Sequence, residues 1–129
     1  MSSSELRYLI AASTLAEGGA AVKQKDIAGK LGVSKVSAYN AVERLREKGY
    51  IEKNERKIGL TERGREALNE YLTIIHFMAS HLSLHCGTPE AEAYEDALNA
   101  TCAFSDTTRN GVAAYIQSGM KRVRHEQGI

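Results

Sequence analysis

The segment that most constrains the fold is KDIAGKLGVSKVSAYNAVERLREKGYIEK, at residues 25–53. Apolar residues at helical spacing predict one helix up to Leu31 and a second that runs to Lys48. Gly32 breaks the chain between the two, and Ser34 is a suitable N-cap for the second helix. Packing of Ala28 and Leu31 against apolar residues of the second helix predicts a helix-turn-helix.

A small basic hairpin is predicted directly after this motif. Residues 50–53 and 57–60 are short extended runs, and the polar sequence Asn54-Glu55-Arg56 separates them. An amphipathic helix over residues 5–17 precedes the motif and ends at two glycines. Helix, short helix, capped helix and hairpin together predict a winged helix-turn-helix domain over residues 1–65.

The rest of the chain, residues 66–129, predicts an α-helical dimerisation domain, so the expected fold class is mainly α. Thr61 is placed to cap a long helix to about residue 84, and two further helices follow, the last of them starting at Ser105-Asp106. One face of that last helix is expected to carry Val112, Ile116, Met120 and Val123, more apolar surface than one small core requires. We therefore expect a homodimer through these helices.

The charge is divided unevenly along the chain. Residues 1–65 hold 13 Lys/Arg against 8 Asp/Glu, a net +5, whereas the remainder holds 4 against 8, a net −4. A basic first half suits a polyanion, and with the winged motif it predicts a double-stranded DNA operator as partner. The sequence shows no arrangement typical of an enzyme, and it predicts a sequence-specific transcriptional regulator, a repressor.

Composition narrows the cellular setting of the protein. No apolar run approaches the ~20 residues that span a bilayer, so no membrane partner is expected. Two cysteines without Cys-x-x-Cys spacing indicate a reducing cytoplasm rather than a disulfide scaffold.

The residues expected to contact DNA lie on the second helix of the motif and on the hairpin. The N-terminal end of that helix enters the major groove in such motifs, where Asn40 can pair with adenine and Val36 can touch a thymine methyl group. Lys35, Arg44 and the hairpin cations suit phosphates, which position the protein without specifying sequence. The predicted DNA-binding residues are Lys35, Val36, Ser37, Tyr39, Asn40, Arg44, Lys53, Arg56 and Lys57. The alternative is a winged helix that binds another protein and not DNA.

Residues 74–86, IIHFMASHLSLHC, hold three of the four histidines and one of the two cysteines. On a helix, His76 flanks the expected buried stripe and Cys86 ends it, as a small buried hydrophobe. His81 and His85 lie four residues apart, which is chelating spacing, although a surface for a partner helix is the favoured interpretation. His76 is expected to face inward together with Cys102 from a neighbouring helix.

Taken end to end, the chain resembles the metal-dependent repressors of the diphtheria-toxin-repressor and manganese-transport-regulator family. DIAGKLGV, VERLREKGYI and LTERG match many winged helices, whereas the placement of His76 and of CAFSD, residues 102–106, favours this family. The resemblance covers most of residues 4–118. It implies a homodimeric, metal-responsive repressor with a winged N-terminal domain.

The same resemblance places the family's metal ligands on residues that differ here. Arg7 and Ile10 stand at the first-helix ligand positions, Leu98 and Thr101 at the later carboxylate positions, and Cys102 at the closing histidine. Manganese prefers oxygen ligands, so the family's manganese or ferrous site is not expected in its usual form. A histidine and a thiol, His76 and Cys102, would suit zinc, iron or copper instead. The alternative is a metal-independent regulator that senses thiol oxidation or a small molecule.

Overall fold

The computed structural model describes residues 1–120 of the 129-residue chain. These residues form six helices and one antiparallel two-stranded sheet. In chain order the elements are α1 (Ser3–Glu17), α2 (Gln24–Leu31), α3 (Lys35–Glu47), β1 (Ile51–Asn54), β2 (Lys57–Leu60), α4 (Glu62–Cys86), α5 (Glu90–Ala103) and α6 (Asp106–Gln117). The mainly α-helical fold with a winged helix-turn-helix is confirmed. Within residues 1–120 we find no helix whose length and apolar content would let it cross a bilayer.

The chain divides into two compact units, Met1–Leu68 and a second unit that begins at Asn69. The first contains α1 to α3, both strands and the start of α4. The second contains the rest of α4 with α5 and α6. The functional limits of 1–65 and 66–129 stay a prediction.

The turn between α2 and α3 follows from two residues. Gly32 has φ 65°, the left-handed conformation that glycine adopts without a steric penalty, and it ends α2. The Ser34 hydroxyl accepts a hydrogen bond from the Ser37 backbone N–H at 3.0 Å and so caps α3. These local signals fix where α3 begins.

The core of the first unit is built from small and branched apolar side chains. Its members from α1, α2 and α3 are Leu6, Leu9, Ala12, Ile27, Ala28, Ala38, Ala41, Val42 and Leu45. The hairpin adds Ile51, Ile58 and Leu60, with Ile51 paired to Leu60 across the strands. The Ile58 N–H donates to the Val22 carbonyl at 2.8 Å, which ties the hairpin to the segment before α2. The wing is therefore anchored to the helical core by both packing and backbone hydrogen bonding.

Glu5 is a buried carboxylate that connects α1 to the end of α3. It forms a capping box with Ser2 at the start of α1. Its other oxygen, Oε2, accepts from Lys48 Nζ at 2.8 Å and lies 3.9 Å from Arg44 Nε. Burial by itself would raise the pKa of the Glu5 carboxyl, but the hydrogen bonds from Lys48 and Ser2 lower that pKa to about 2.

The LTERG sequence forms the junction between the wing and α4. The Thr61 hydroxyl donates to the Gly49 carbonyl and accepts from the Gly64 N–H at 3.0 Å. Arg65 donates to the Leu60 carbonyl at 2.8 Å. Gly64 lies so close to the Tyr50 carbonyl that a Cβ atom would overlap the oxygen. The turn from the wing into α4 therefore depends on the hydrogen bonds of Thr61 and on the absence of a side chain at Gly64.

The second unit packs α4, α5 and α6 around a core of Tyr71, Ile74, Ile75, Ala93, Ala97, Leu98 and Ala113. Arg109 of α6 is nearly buried and reaches across to α4, where it donates to Glu70 at 2.9 Å and lies over the Tyr71 ring at 4.5 Å. Asp106 provides a second carboxylate for the same guanidinium. This ion-paired arginine joins α6 to α4.

Three expectations for the second unit are wrong or lie outside what the structure describes. Cys86 is exposed at the end of α4 and is not a core residue. The last helix ends at Gln117, so Met120 lies beyond it with φ 64°. The expectation was wrong because the apolar periodicity of the sequence continues beyond Ser118 and Gly119, where the helix ends. Val123 lies outside the described residues.

We expect Gly64→Ala to destabilise the protein by about 1–3 kcal/mol, the usual cost of inserting a methyl group where there is no space. The matched control is Gly29→Ala in α2, where a Cβ would meet nothing within 4 Å. That substitution should be neutral or stabilising by up to ~1 kcal/mol. Urea unfolding followed by circular dichroism measures both, and equal free energies of unfolding for Gly64→Ala and wild type would contradict the close approach.

We expect Glu5→Gln to lower the free energy of unfolding at neutral pH by about 1–2 kcal/mol, less than the full linkage value because Lys48 is half exposed. The folded-state pKa of about 2 lies below the usual value of 4.5. The contribution is therefore complete above pH 4.5 and declines as the pH falls towards 2.

The difference between wild type and Glu5→Gln should accordingly shrink on acidification. Chemical unfolding at pH 7, 5 and 3.5 measures it, with the exposed Glu17→Gln at the far end of α1 as control. A difference that is constant over this range would show that the ionised carboxylate does not stabilise the fold.

Candidate nucleic-acid interface

The first two turns of α3 are exposed on one side and buried on the other. Ala38, Ala41 and Val42 face the core. In contrast, Val36 is 70% exposed and Tyr39 51% exposed, although both are large and apolar. Lys35, Ser37 and Asn40 are exposed beside them. The helix therefore presents a mixed apolar and polar surface at its N-terminal end, where the backbone N–H groups and the helix dipole also favour an anion.

This surface brings together side chains of the kinds that can read base edges. The Asn40 amide has both a donor and an acceptor, as bidentate pairing with adenine requires, and Val36 offers methyl groups to a thymine. All five residues predicted at the start of α3 are thus placed where a major groove could receive them. Their roles in DNA contact stay predictions.

The residues predicted to contact phosphates differ in their exposure and in their partners within the protein. Arg56 and Lys57 at the tip of the wing are exposed, and so is Arg44, although its Nε also lies 3.9 Å from Glu5. Lys53 is different, because its side chain is only 20% exposed and its Nζ lies 2.9 Å from a Glu43 oxygen. Lys53 already has a carboxylate partner.

Glu43 is a residue of this surface that sequence reasoning missed. It lies one helical turn after Tyr39 on α3 and binds Lys53 of β1, which lowers the pKa of the Glu43 carboxyl. The Lys53 ammonium also lies 5.2 Å from the centre of the Tyr39 ring and 3.4 Å from a Gln24 oxygen. These contacts fix the wing relative to α3. The only sequence signal was an acidic residue on the exposed face of a basic helix.

A groove of about 440 Å³ lies beside this network. The start of α2, the exposed side of α3 and the wing form its walls. Its lining residues are Lys23, Gln24, Lys25, Tyr39, Lys53, Glu55, Arg56 and Ile58. Its four cations include Lys53, which is paired with Glu43, and its one carboxylate is Glu55, so the groove suits a polyanion better than an uncharged ligand.

The second predicted site, His76 with Cys102, is placed differently from the expectation. His76 is exposed, so its predicted inward orientation is wrong. The centre of its imidazole ring lies 6.4 Å from that of the Tyr94 ring on α5. Cys102 on α5 is half buried. Among residues 1–120 no group of three or more His, Cys, Asp or Glu side chains is arranged to hold a metal ion. Any ion bound by His76 and Cys102 would need further ligands from elsewhere.

Residues 1–58 match the family described as the iron-dependent repressor N-terminal DNA-binding domain. The chain is similar to a hypothetical protein from Sulfolobus solfataricus, with 20% identity, a TM-score of 0.71, and coverage of 100% of this chain and 97% of that one. It is also similar to the manganese regulator SloR, with 20% identity, a TM-score of 0.72, and coverage of 92% and 55%. For IdeR from T. acidophilum the identity is 22%, the TM-score 0.61, and the coverage 94% and 56%.

At these identities the structural matches establish a shared fold. The chain spans just over half the length of SloR and IdeR. No curated protein matches it in sequence. The matched family consists of DNA-binding repressor domains, which agrees with the prediction of a regulator and not an enzyme.

Proposed function

We propose that this transcriptional regulator, whose first 58 residues match the DNA-binding domain of iron-dependent repressors, binds a specific operator as a homodimer. The observation that carries the proposal is the exposed start of α3. Val36 and Tyr39 are large apolar side chains left in solvent beside Asn40, an arrangement that supports contact with base edges.

The wing supports the same proposal. Arg56 and Lys57 are exposed at its tip and are our proposed phosphate contacts. Lys53 is proposed to position the wing through Glu43, and Arg44 remains a candidate for a phosphate on the other side of α3. A DNA backbone along α3 and the wing would then fit the cationic groove between them.

We propose that the second unit supplies the dimer contact, because twofold operators are matched by twofold proteins. Apolar side chains at its end remain accessible. Tyr115 is 39% exposed and Met120 46% exposed, while Val112 and Ile116 are half buried. Repression is the proposed direction of regulation, since it is the activity that the matched family's description names.

The test of this function is binding to duplexes selected from a random pool, measured by fluorescence anisotropy over a range of salt concentrations. We expect Asn40→Ala and Tyr39→Ala to reduce the preference for the selected duplex over a scrambled one by roughly 5- to 150-fold, the value of one base contact. Lys57→Ala should weaken binding to both duplexes equally and reduce the salt slope by about 0.9.

Asn99→Ala, an exposed asparagine of α5, is the matched control and should bind both duplexes as wild type does. The selected duplex should be twofold symmetric and should bind two chains. If the wild-type protein binds no duplex in a salt-dependent manner at low ionic strength, the alternative of a protein-binding winged helix takes over.

The proposed effector is a thiophilic metal, zinc or iron, bound through His76 and Cys102. The match of residues 1–58 to an iron-dependent repressor domain supports a metal, whereas the donor set does not suit manganese. Arg7, Ile10, Leu98 and Thr101, at the positions that the resemblance assigns to other ligands, offer no carboxylate. The Thr101 hydroxyl is also occupied, because it donates to the Ala97 carbonyl at 2.7 Å. An imidazole and a thiol suit zinc or ferrous iron better.

We expect manganese to leave DNA affinity unchanged, and a zinc or ferrous response to be lost in both His76→Ala and Cys102→Ser. Titration of each metal during the anisotropy measurement tests this, with Ser80→Ala, an exposed residue of α4, as the control that retains the response. A manganese response in wild type would contradict the proposal. Affinity that changes with peroxide instead, in a manner that depends on Cys86 or Cys102, would support the thiol-oxidation alternative.

A further inference from the structure

His81 and His85 form an exposed pair on the last turns of α4, separate from the residues proposed above. Both side chains are exposed, and their rings stack with centres 5.2 Å apart and planes 29° apart. The Phe77 ring lies 4.4 Å from the His81 ring on the preceding turn. Three rings thus follow each other along the helix surface, and Phe77 restricts the positions that the His81 imidazole can take.

The spacing of the two rings fits coordination of one ion. Zinc–nitrogen distances in proteins are about 2.0–2.1 Å, and two imidazoles on one tetrahedral ion have ring centres about 5 Å apart. The observed 5.2 Å therefore requires only rotation about side-chain torsions, without movement of the helix. Two histidines four residues apart on one helix are also the arrangement by which zinc is held in the His-Glu-x-x-His motif.

The residues between the two histidines show which functional groups the site does not contain. The sequence between the histidines is Leu-Ser-Leu, so there is no glutamate to act as a base on a bound water. No third ligand completes the pair among residues 1–120. The remaining coordination positions would be open to water, which limits the affinity and gives the site no hydrolytic chemistry.

We infer that His81 and His85 form a bidentate surface site for a borderline first-row divalent cation. Two imidazoles favour copper, nickel and zinc over manganese, following the general order of stability of such complexes. The bound ion bridges the last two turns of α4, just before the helix ends at Cys86, and therefore stabilises the folded form of this segment.

The probe is nickel chloride, titrated into untagged full-length protein and measured by isothermal titration calorimetry without DNA. We expect a nickel site whose affinity falls at least tenfold in His81→Gln and in His85→Gln, because a single imidazole lacks the chelate effect. Manganese chloride should bind at least tenfold more weakly than nickel. Nickel should raise the thermal midpoint of wild type by more than that of either variant.

The matched control is Ser80→Ala, an exposed residue of α4 directly before His81, which should bind nickel as wild type does. Affinity retained in either His81→Gln or His85→Gln would overturn the inference. A loss in Ser80→Ala equal to that in the pair would overturn it as well, since the loss would then not come from removal of a ligand. Because no DNA is present, failure here leaves the proposed regulatory function untouched, and failure of DNA binding leaves this site untouched.

Discussion

The first unit depends on the buried carboxylate of Glu5. It caps α1 through Ser2 and, through Lys48, fixes the C-terminal end of α3. A carboxylate in this position is costly unless it is paired, and the pairing that satisfies it also sets where α3 lies against α1. The exposed start of α3 is therefore held from its opposite end. The same helix carries the base-reading candidates Val36 and Asn40, so the position of the interface follows from an ion pair remote from it.

A second set of contacts fixes the wing. Glu43 and Tyr39 of α3 hold Lys53 of β1, and Thr61 and Gly64 join the end of the hairpin to α4. The cationic side chains of this region thus have two different roles. Lys53 is used within the protein, whereas Arg56 and Lys57 remain exposed. A count of cations in the sequence cannot distinguish these two roles, because it does not show which cations are paired with a carboxylate in the folded protein.

The histidines of α4 also fall into two groups. His76 lies beside Tyr94, whereas His81 and His85 stack on each other and on Phe77, so the helix offers two separate imidazole environments. Neither is a complete metal site within the described residues. At the positions that the resemblance assigns to metal ligands, this chain offers few oxygen donors, and the donors of His76 and Cys102 favour softer cations.

The sequence by itself determined the elements, their order and the winged helix-turn-helix, because helical periodicity, the Ser34 cap and the break at Gly32 act over one or two turns of chain. It also placed Val36, Tyr39 and Asn40 on the exposed side of α3, since helix geometry alone sets which residues lie opposite the buried ones. Tertiary structure decided the pairing of Glu5 with Lys48 and of Glu43 with Lys53, and the exposure of His76 and Cys86. Those outcomes depend on which elements meet and at what distance, which no local pattern encodes.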